Sequence, residues 1–397
     1  MGMKILLLNP GMFVSRYLGY YPRLGLRILA ALTPPEHTVT IVEGKDCDLI
    51  QFTGEWDLVG ISALTPHVQR AYYMADRFRV SRVPVVLGGI HASGNPEEAS
   101  QHADAVCIGE GELVWPQILQ DAQTRQFKPF YRADRPVDRA TLINPRRLPT
   151  DRHKYGSFPV ETGRGCPVGC VFCFAPVLFG PCFQPREVKR VVADIQEVLE
   201  LTQHYPQTQI TFSENLLPHK AYARTLFAAL EGLNVHFGVE GRFEGLQDDE
   251  YLKAIGRAGC TNIYVETKMV SARKEPEVYA MYAETVRRIL DKGIETSINF
   301  TVGYDDHDQD IYDDTWNFLT RNNFLRYSYV QLFVPWPGLP VFKRMEQEGR
   351  ILNRNWSNYD NRHVVFRPKL MSPEELERLH DQFWQALSQQ VQETAWI

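Results

Sequence analysis

The chain has 397 residues, enough for two domains with full cores, and its 44% hydrophobic, 23% charged and 12% aromatic composition is ordinary for a globular protein. A net charge of −5 gives no electrostatic reason to expect nucleic acid or an anionic membrane as partner. No apolar run approaches a membrane span, and the brief Ile-Leu-Leu-Leu stretch after Lys4 reads as a strand, because no small-residue cleavage site follows it.

Residues 1–125 alternate strand and helix signals. Strands are predicted at 4–8, 39–42, 58–61, 83–87 and 105–108, and helices at 24–32, 68–78 and 112–119. This pattern predicts an α/β fold, Rossmann-like, with an open and doubly wound parallel sheet. Ligands of such sheets bind at the carboxyl ends of the strands. The loops there read Asn9-Pro10-Gly11, Ser62-Ala63-Leu64-Thr65-Pro66, Gly88-Gly89-Ile90-His91 and Gly109-Glu110-Gly111-Glu112. Glycines permit close backbone approach to a ligand, and small hydroxyls can bond to amides or phosphate. The stretch from 121 is polar and weakly periodic, and 126–157 reads as a linker.

The alternation restarts beyond it. Strands are expected at 158–161, 209–212, 235–240, 262–265, 296–301 and 329–333, with helices at 186–201, 220–230, 248–258, 276–292 and 309–321. Six βα repeats over 158–335 predict a partial (β/α)6 TIM barrel, whose working residues sit at strand carboxyl ends. Residues 336–397 form a short C-terminal extension with a helix starting at Ser372-Pro-Glu-Glu-Leu. Its Trp356, Tyr359, His363 and Phe366 either wall a substrate cavity or form core.

The most specific signal is Gly163-Arg-Gly-Cys-Pro-Val-Gly-Cys-Val-Phe-Cys-Phe174, in which Cys166, Cys170 and Cys173 have the spacing C-x3-C-x2-C. Three thiolates can bind three irons of a [4Fe–4S] cluster and leave the fourth open. A zinc site would want a fourth Cys or His nearby, and Cys182 has no ligand-like neighbour. Seven cysteines are too sparse, and odd in number, for a disulfide framework. Unpaired thiols and a labile cluster suggest a reducing cytoplasm.

With Phe172 in the aromatic place, the triplet resembles the hallmark of the radical S-adenosylmethionine (SAM) superfamily. Tyr21-Pro-Arg-Leu-Gly-Leu, Gly60-Ile-Ser-Ala-Leu-Thr-Pro, Val86-Leu-Gly-Gly-Ile-His and Ala103-Asp-Ala-Val-Cys-Ile-Gly-Glu-Gly-Glu resemble the cobalamin-binding domain that precedes many radical SAM modules. The resemblance implies that Cys166, Cys170 and Cys173 hold the cluster and that Phe172 lies near the adenine of SAM. It implies Glu214, in Phe212-Ser-Glu-Asn215, for the SAM amino group, although Ser213 could instead cap a helix. Arg242 could fork onto the SAM carboxylate or form an ion pair with Glu240 or Glu244. Glu266 matches a family glutamate that faces SAM, whereas Thr267-Lys268 departs from the usual Ser-Gly. Gly303 matches a glycine on which adenine stacks, and Pro335-Trp-Pro-Gly-Leu-Pro a family run after the sixth strand. In the first domain it implies cobalamin contacts from Asn9, Ser62, Thr65, Gly88, Gly89, His91, Gly109, Glu110 and Gly111. The string Asp151-Arg-His153-Lys-Tyr-Gly156 matches D-x-H-x-x-G, the cobalt-ligand motif of other cobalamin proteins, but lies outside the domain and reads as chance.

The implied cofactors are a [4Fe–4S] cluster, SAM and cobalamin. The implied activity is methylation of an unactivated carbon in a small-molecule substrate, one SAM methylating the corrinoid and another giving a 5′-deoxyadenosyl radical. A flavodoxin- or ferredoxin-type electron donor would reduce the cluster. Non-methylating relatives, such as oxidative cyclases of the anaerobic tetrapyrrole type and ring-contracting or oxidising enzymes, and a non-enzymatic corrinoid or redox sensor, are the alternatives.

Overall fold

Lys4–Asn9 (β1) buries Ile5, Leu6, Leu7 and Leu8 together, as a parallel strand covered on both faces must. In the computed structural model, which describes residues 2–11, 14, 15, 19–203, 205, 207–215 and 219–394, β1 is internal to a six-stranded parallel sheet. The other strands are Thr38–Glu43 (β2), Leu58–Ser62 (β3), Val85–Gly88 (β4), Ala105–Ile108 (β5) and Phe130–Arg132 (β6), in the order β2-β1-β3-β4-β5-β6. Helices Leu24–Leu32 (α1) and Gly111–Thr124 (α3) cover one face, where Leu26, Ala30, Trp115 and Ile118 meet Ile5, Leu7 and Leu58. Helix Val68–Val80 (α2) packs beside β3 and β4 through Ala71, Met74 and Phe78.

The chain divides into two compact units, Met1–Gln209 with Trp336–Lys343, and Ile210–Pro335 with Arg344–Ile397. The segment read as a linker is built into the first unit. It contributes β6, which pairs Cys107 with Tyr131. Only Tyr131 of its three residues points inward, too short an alternation to register as a period. Further along, Asp151 and Tyr155 are buried against β2 and α1. Arg27 donates to Asp151 at 2.8 Å and to Glu43 at 2.7 Å, and the Tyr155 hydroxyl donates to Glu43 at 2.8 Å.

The second unit contains Gln209–Asn215 (β7, from Ile210), His236–Gly241 (β8), Cys260–Lys268 (β9), Glu295–Val302 (β10) and Ser328–Leu332 (β11), side by side with helices between them in sequence. Ser157–Val160, expected as the first barrel strand, groups with the first unit. Helix Pro373–Thr394 starts where Ser372 Oγ accepts the Glu375 N–H at 3.1 Å, and it buries Leu376, Phe383 and Leu387. Trp356, Tyr359 and Phe366 are core residues: the first two rings pack at a tilt with centres 4.9 Å apart, and Phe366 meets Phe333 edge-on at 5.4 Å. His363 is exposed and bonds to Asp360. No helix among the described residues is long and apolar enough to cross a membrane.

Removing the guanidinium that sits between two buried carboxylates leaves both uncompensated. Arg27→Ala is therefore expected to lower the stability of the chain by about 3–5 kcal/mol, read as a fall in the urea midpoint at neutral pH.

Candidate functional site

The strand order 2-1-3-4-5 reverses at β1 and β3, where a crevice opens beyond the carboxyl ends of the strands. A cavity of about 280 Å³ lies there. Ser62, Gly88, Gly89, Gly109, Glu110 and Gly111 line it, with Leu29 and Trp115 from the helices. Gly89 has φ of +92°, and a Cβ there would meet Ser62 Oγ at 2.6 Å, so only glycine fits. Cys107 also lines the cavity, but burial, with Glu112 nearby, pushes its thiol up to about 12, so it remains neutral.

Three residues expected to face a ligand turn inward instead. Asn9 is buried and its Oδ1 accepts the Gly11 N–H at 3.0 Å. Thr65 and His91, both buried, are bonded to each other at 3.2 Å. None of the three lines the cavity. A loop backbone can face a ligand while its side chains satisfy one another behind it. Glu110 lines the cavity, yet its carboxylate accepts from Arg139 at 2.7 Å, Arg164 at 2.6 Å and the Val137 N–H at 2.8 Å. Burial would raise its pKa, and these donors outweigh burial and hold it below the usual carboxylate range. His153 of the D-x-H-x-x-G string is exposed and accepts from Arg152, while Asp151 is held by Arg27, so neither is placed as a cobalt ligand.

The cysteine loop enters the same unit through a hairpin in which Gly163–Arg164 pairs antiparallel with Gln184–Pro185. At Gly165, φ is +87° and a Cβ would lie 2.1 Å from the Cys182 carbonyl oxygen, so the hairpin closes tightly just before Cys166. Cys166 N–H donates to the Gly180 carbonyl at 3.2 Å, and Cys173 N–H to the Cys170 carbonyl at 3.1 Å. The Ala175 N–H donates to Cys173 Sγ at 3.4 Å, a bond that would strengthen with a thiolate there. Cys166, Cys170, Cys173 and Phe172 are all partly exposed. Among the described residues no three His, Cys, Asp or Glu side chains converge as ligands of one metal ion would. A cubane asks for something else, since each thiolate holds its own iron at a separate corner. Beyond the cysteines, helix Ala175–Phe179 (α4) brings Leu178 and Phe179 into the wall of the glycine-lined cavity, together with Glu161 and Arg164.

In the second unit the registers Glu240↔Tyr264, Glu266↔Asn299 and Asn299↔Tyr329 gather polar side chains on the sheet. Gln331 Nε2 donates to Glu266 at 2.7 Å and to Thr301 Oγ1 at 3.1 Å, and Asn299 Nδ2 donates to the Tyr264 hydroxyl at 3.0 Å. Asn299 Oδ1 is buried without a hydrogen-bond partner. Among the described residues no Lys or Arg forms an ion pair with Glu240 or Glu266. Glu240 is exposed to solvent yet surrounded by protein, and desolvation, with repulsion from Glu266, pushes it up to about 8. Glu266 is also raised by burial, against the hydrogen bond from Gln331. Two carboxylates set together without a cation suit a cationic ligand. Glu240 was weighed in the sequence only as a partner for Arg242; its closeness to Glu266 arises from strand register. Arg242 turns to Glu244 at 3.4 Å. Gly303, at φ of +87°, packs against Leu376 and Leu332. Glu214 lies in β7, and its side chain falls outside the described residues.

A flavodoxin-like sheet with a glycine-lined cavity, walled in part by a cysteine loop, defines an α/β protein built for a large organic cofactor and an iron–sulfur centre. A family model of the B12 binding domain matches residues 12–119, and one of the radical SAM superfamily matches residues 160–315. The bacteriochlorophyllide d C-8(2)-methyltransferase of Chlorobaculum tepidum is 27% identical, over 88% of this chain and 82% of its own length. The C-12(1)-methyltransferase of the same organism is also 27% identical, over 89% and 79%. The hopanoid C-2 methylase of Rhodopseudomonas palustris is 21% identical, over 84% and 66%. The fold is shared with the radical SAM methyltransferase TsrM from Kitasatospora setae, solved with cobalamin and a [4Fe–4S] cluster, at a TM-score of 0.69 and 17% identity over 88% of this chain and 75% of that one. The chain belongs to the cobalamin-binding radical SAM superfamily. It is an enzyme of that class, whose cofactors are a [4Fe–4S] cluster, SAM and cobalamin.

Replacing any of Cys166, Cys170 or Cys173 by Ala is expected to abolish cluster uptake, read as iron and sulfide per chain after anaerobic reconstitution, while Cys182→Ala keeps full content. The raised Glu240 makes a second expectation. Its protonated form stabilises the fold below the ordinary glutamate value, and that contribution is lost as pH rises through about 8. The ionised form is the one that attracts a cation, so SAM affinity should rise from about pH 7 to about pH 9. Glu240→Gln should flatten that rise in calorimetric titrations; an unchanged slope would place the SAM cation elsewhere.

Proposed function

We propose that the protein is a cobalamin-dependent radical SAM C-methyltransferase acting on an unactivated carbon of a small molecule. The observation that carries this reading is that the cysteine loop contributes Arg164, Leu178 and Phe179 to the wall of the cavity beyond β3, β4 and β5. An iron–sulfur site and a corrinoid site that share a wall suit chemistry that uses both. The methyltransferases among its relatives favour methyl transfer over cyclisation.

With cobalamin, SAM and the cluster bound, the cofactors supply a methyl group and a 5′-deoxyadenosyl radical. The chain's own part is to hold and exclude. Cys166, Cys170 and Cys173 grip three irons, and Phe172 flanks them. The backbone of Gly88, Gly89, Gly109 and Gly111 admits a portion of the corrinoid into the apolar cavity. Glu240 and Glu266 attract the ammonium or sulfonium of SAM, with Asn299 Oδ1 as an open acceptor; Glu214 and Arg242 contact its other polar groups, and Gly303 its adenine. Residues 1–125 serve the corrinoid and 158–335 the cluster and SAM, with 126–157 between them and 336–397 completing the chain. A low-potential donor of the flavodoxin or ferredoxin type reduces the cluster, in the cytoplasm where thiols stay reduced.

Reconstituted protein given methyl-labelled SAM, cobalamin, a low-potential reductant and a small-molecule extract is expected to release 5′-deoxyadenosine and deliver label to a carbon of one product. Cleavage of SAM with no label in any product would favour an oxidising or cyclising enzyme. Failure to cleave SAM would remove the radical chemistry.

A further inference from the structure

Arg164 lies two residues before the first cluster cysteine, and its side chain is only 7% exposed. Its guanidinium is spent on all edges. Nη1 donates to Glu110 at 2.6 Å, Nη2 to Glu112 at 2.6 Å, and Nε to Glu161. Glu110 and Glu112 belong to the loop after β5 and the first turn of α3, where Gly109 and Gly111 line the cavity. Glu161 and Arg164 belong to the approach to the cysteine loop. The guanidinium also lies 5.4 Å from the ring centre of Phe179, at the far end of that loop. Glu110 cannot swing, because Arg139 and the Val137 N–H hold it as well.

Three carboxylates around one planar fork fix direction as well as distance, which a lysine point charge could not do. We propose that Arg164 is a positioning residue that locks the cysteine loop against the corrinoid cavity and sets the separation between the iron–sulfur centre and the corrin. The inference rests on the functional reading above, since it needs both groups bound in one protein. It makes the Gly109-Glu-Gly-Glu loop a two-sided element, with glycines toward the cofactor and carboxylates toward the cluster hairpin.

The test uses full-length protein reconstituted with iron, sulfide and cob(II)alamin. Arg164→Met keeps the apolar stem and removes the fork; Arg164→Lys keeps the charge; Glu112→Gln cuts one arm at the rim. Arg164→Met is expected to keep wild-type iron and sulfide content, to weaken cobalamin binding by about 10-fold or more, and to change the magnetic interaction between reduced cluster and Co(II) seen by electron paramagnetic resonance. Arg164→Lys should recover affinity only in part, and Glu112→Gln should fall between it and wild type. A purely structural clamp would lower the melting temperature and leave the spin interaction alone, which would overturn the proposal. If Arg164→Met does not fold, the spin interaction and affinity of Glu112→Gln decide. Unchanged values in the folded variants overturn this inference alone. Wild-type protein that takes up neither cluster nor cobalamin overturns the functional reading and this inference with it.

Discussion

A guanidinium leaves water at least cost where each of its donor edges meets an acceptor, and Arg164 is buried on those terms. The contact spans 54 residues, from the cluster hairpin to the loop after β5. Two other buried arginines also join distant segments, although among the described residues Arg27 Nε and Arg147 Nε and Nη1 find no hydrogen-bond partner. Arg27 reaches Asp151 across 124 residues, and Arg147 reaches Asp194 across 47. Arg27 and Arg147 tie the polar stretch of residues 126–157 to fixed partners, and Arg164 ties the cysteine hairpin to the loop after β5. Apolar burial stabilises without specifying direction. Forked charge-assisted hydrogen bonds specify it, and that is what a stretch with few apolar side chains needs. The net stability of such centres is small, because desolvation offsets attraction. Their contribution is geometry.

The second unit carries the opposite arrangement. Glu240 and Glu266 approach each other with no cation between them among the described residues, and Asn299 keeps a buried acceptor unmet. A chain selected only for stability would avoid both, since each costs desolvation without return. Departures of this kind are expected where a ligand completes the set. A bound cation would draw the raised Glu240 back toward the ionised form.

The cysteine triplet stands out directly because its three thiols lie within eight residues of one another, so local spacing alone carries the signal. The strands of the first sheet were legible because buried parallel strands are apolar runs, and Gly88, Gly89, Gly109 and Gly111 because a close approach excludes side chains. The orientation of His91, Thr65 and Asn9 was not, since a loop sequence does not say which side chains face the ligand and which face each other. The partners that hold the Glu110 carboxylate were hidden for the same reason: Arg139 and Arg164 lie 29 and 54 residues away. Glu240 came near Glu266 through sheet register, which no spacing within either strand reveals. Strand Phe130–Arg132 was lost in a polar stretch because one inward Tyr makes no period.

Charge holds the cysteine loop for a reason that follows from its own surface. Helix Ala175–Phe179 buries none of its five residues, and Val168, Val171 and Val177 are exposed at 37%, 52% and 52%. The loop therefore has no apolar anchor of the kind that fixes α1 or α3. Packing it into a core would close off the thiolates and the cavity wall that Leu178 and Phe179 form. The radical chemistry proposed above would need its centre placed closely, so that it meets one hydrogen and not its neighbours. Tight backbone closure at Gly165 and the fork at Arg164 satisfy both demands. They hold the loop from its base and leave its outer face to cofactors and substrate.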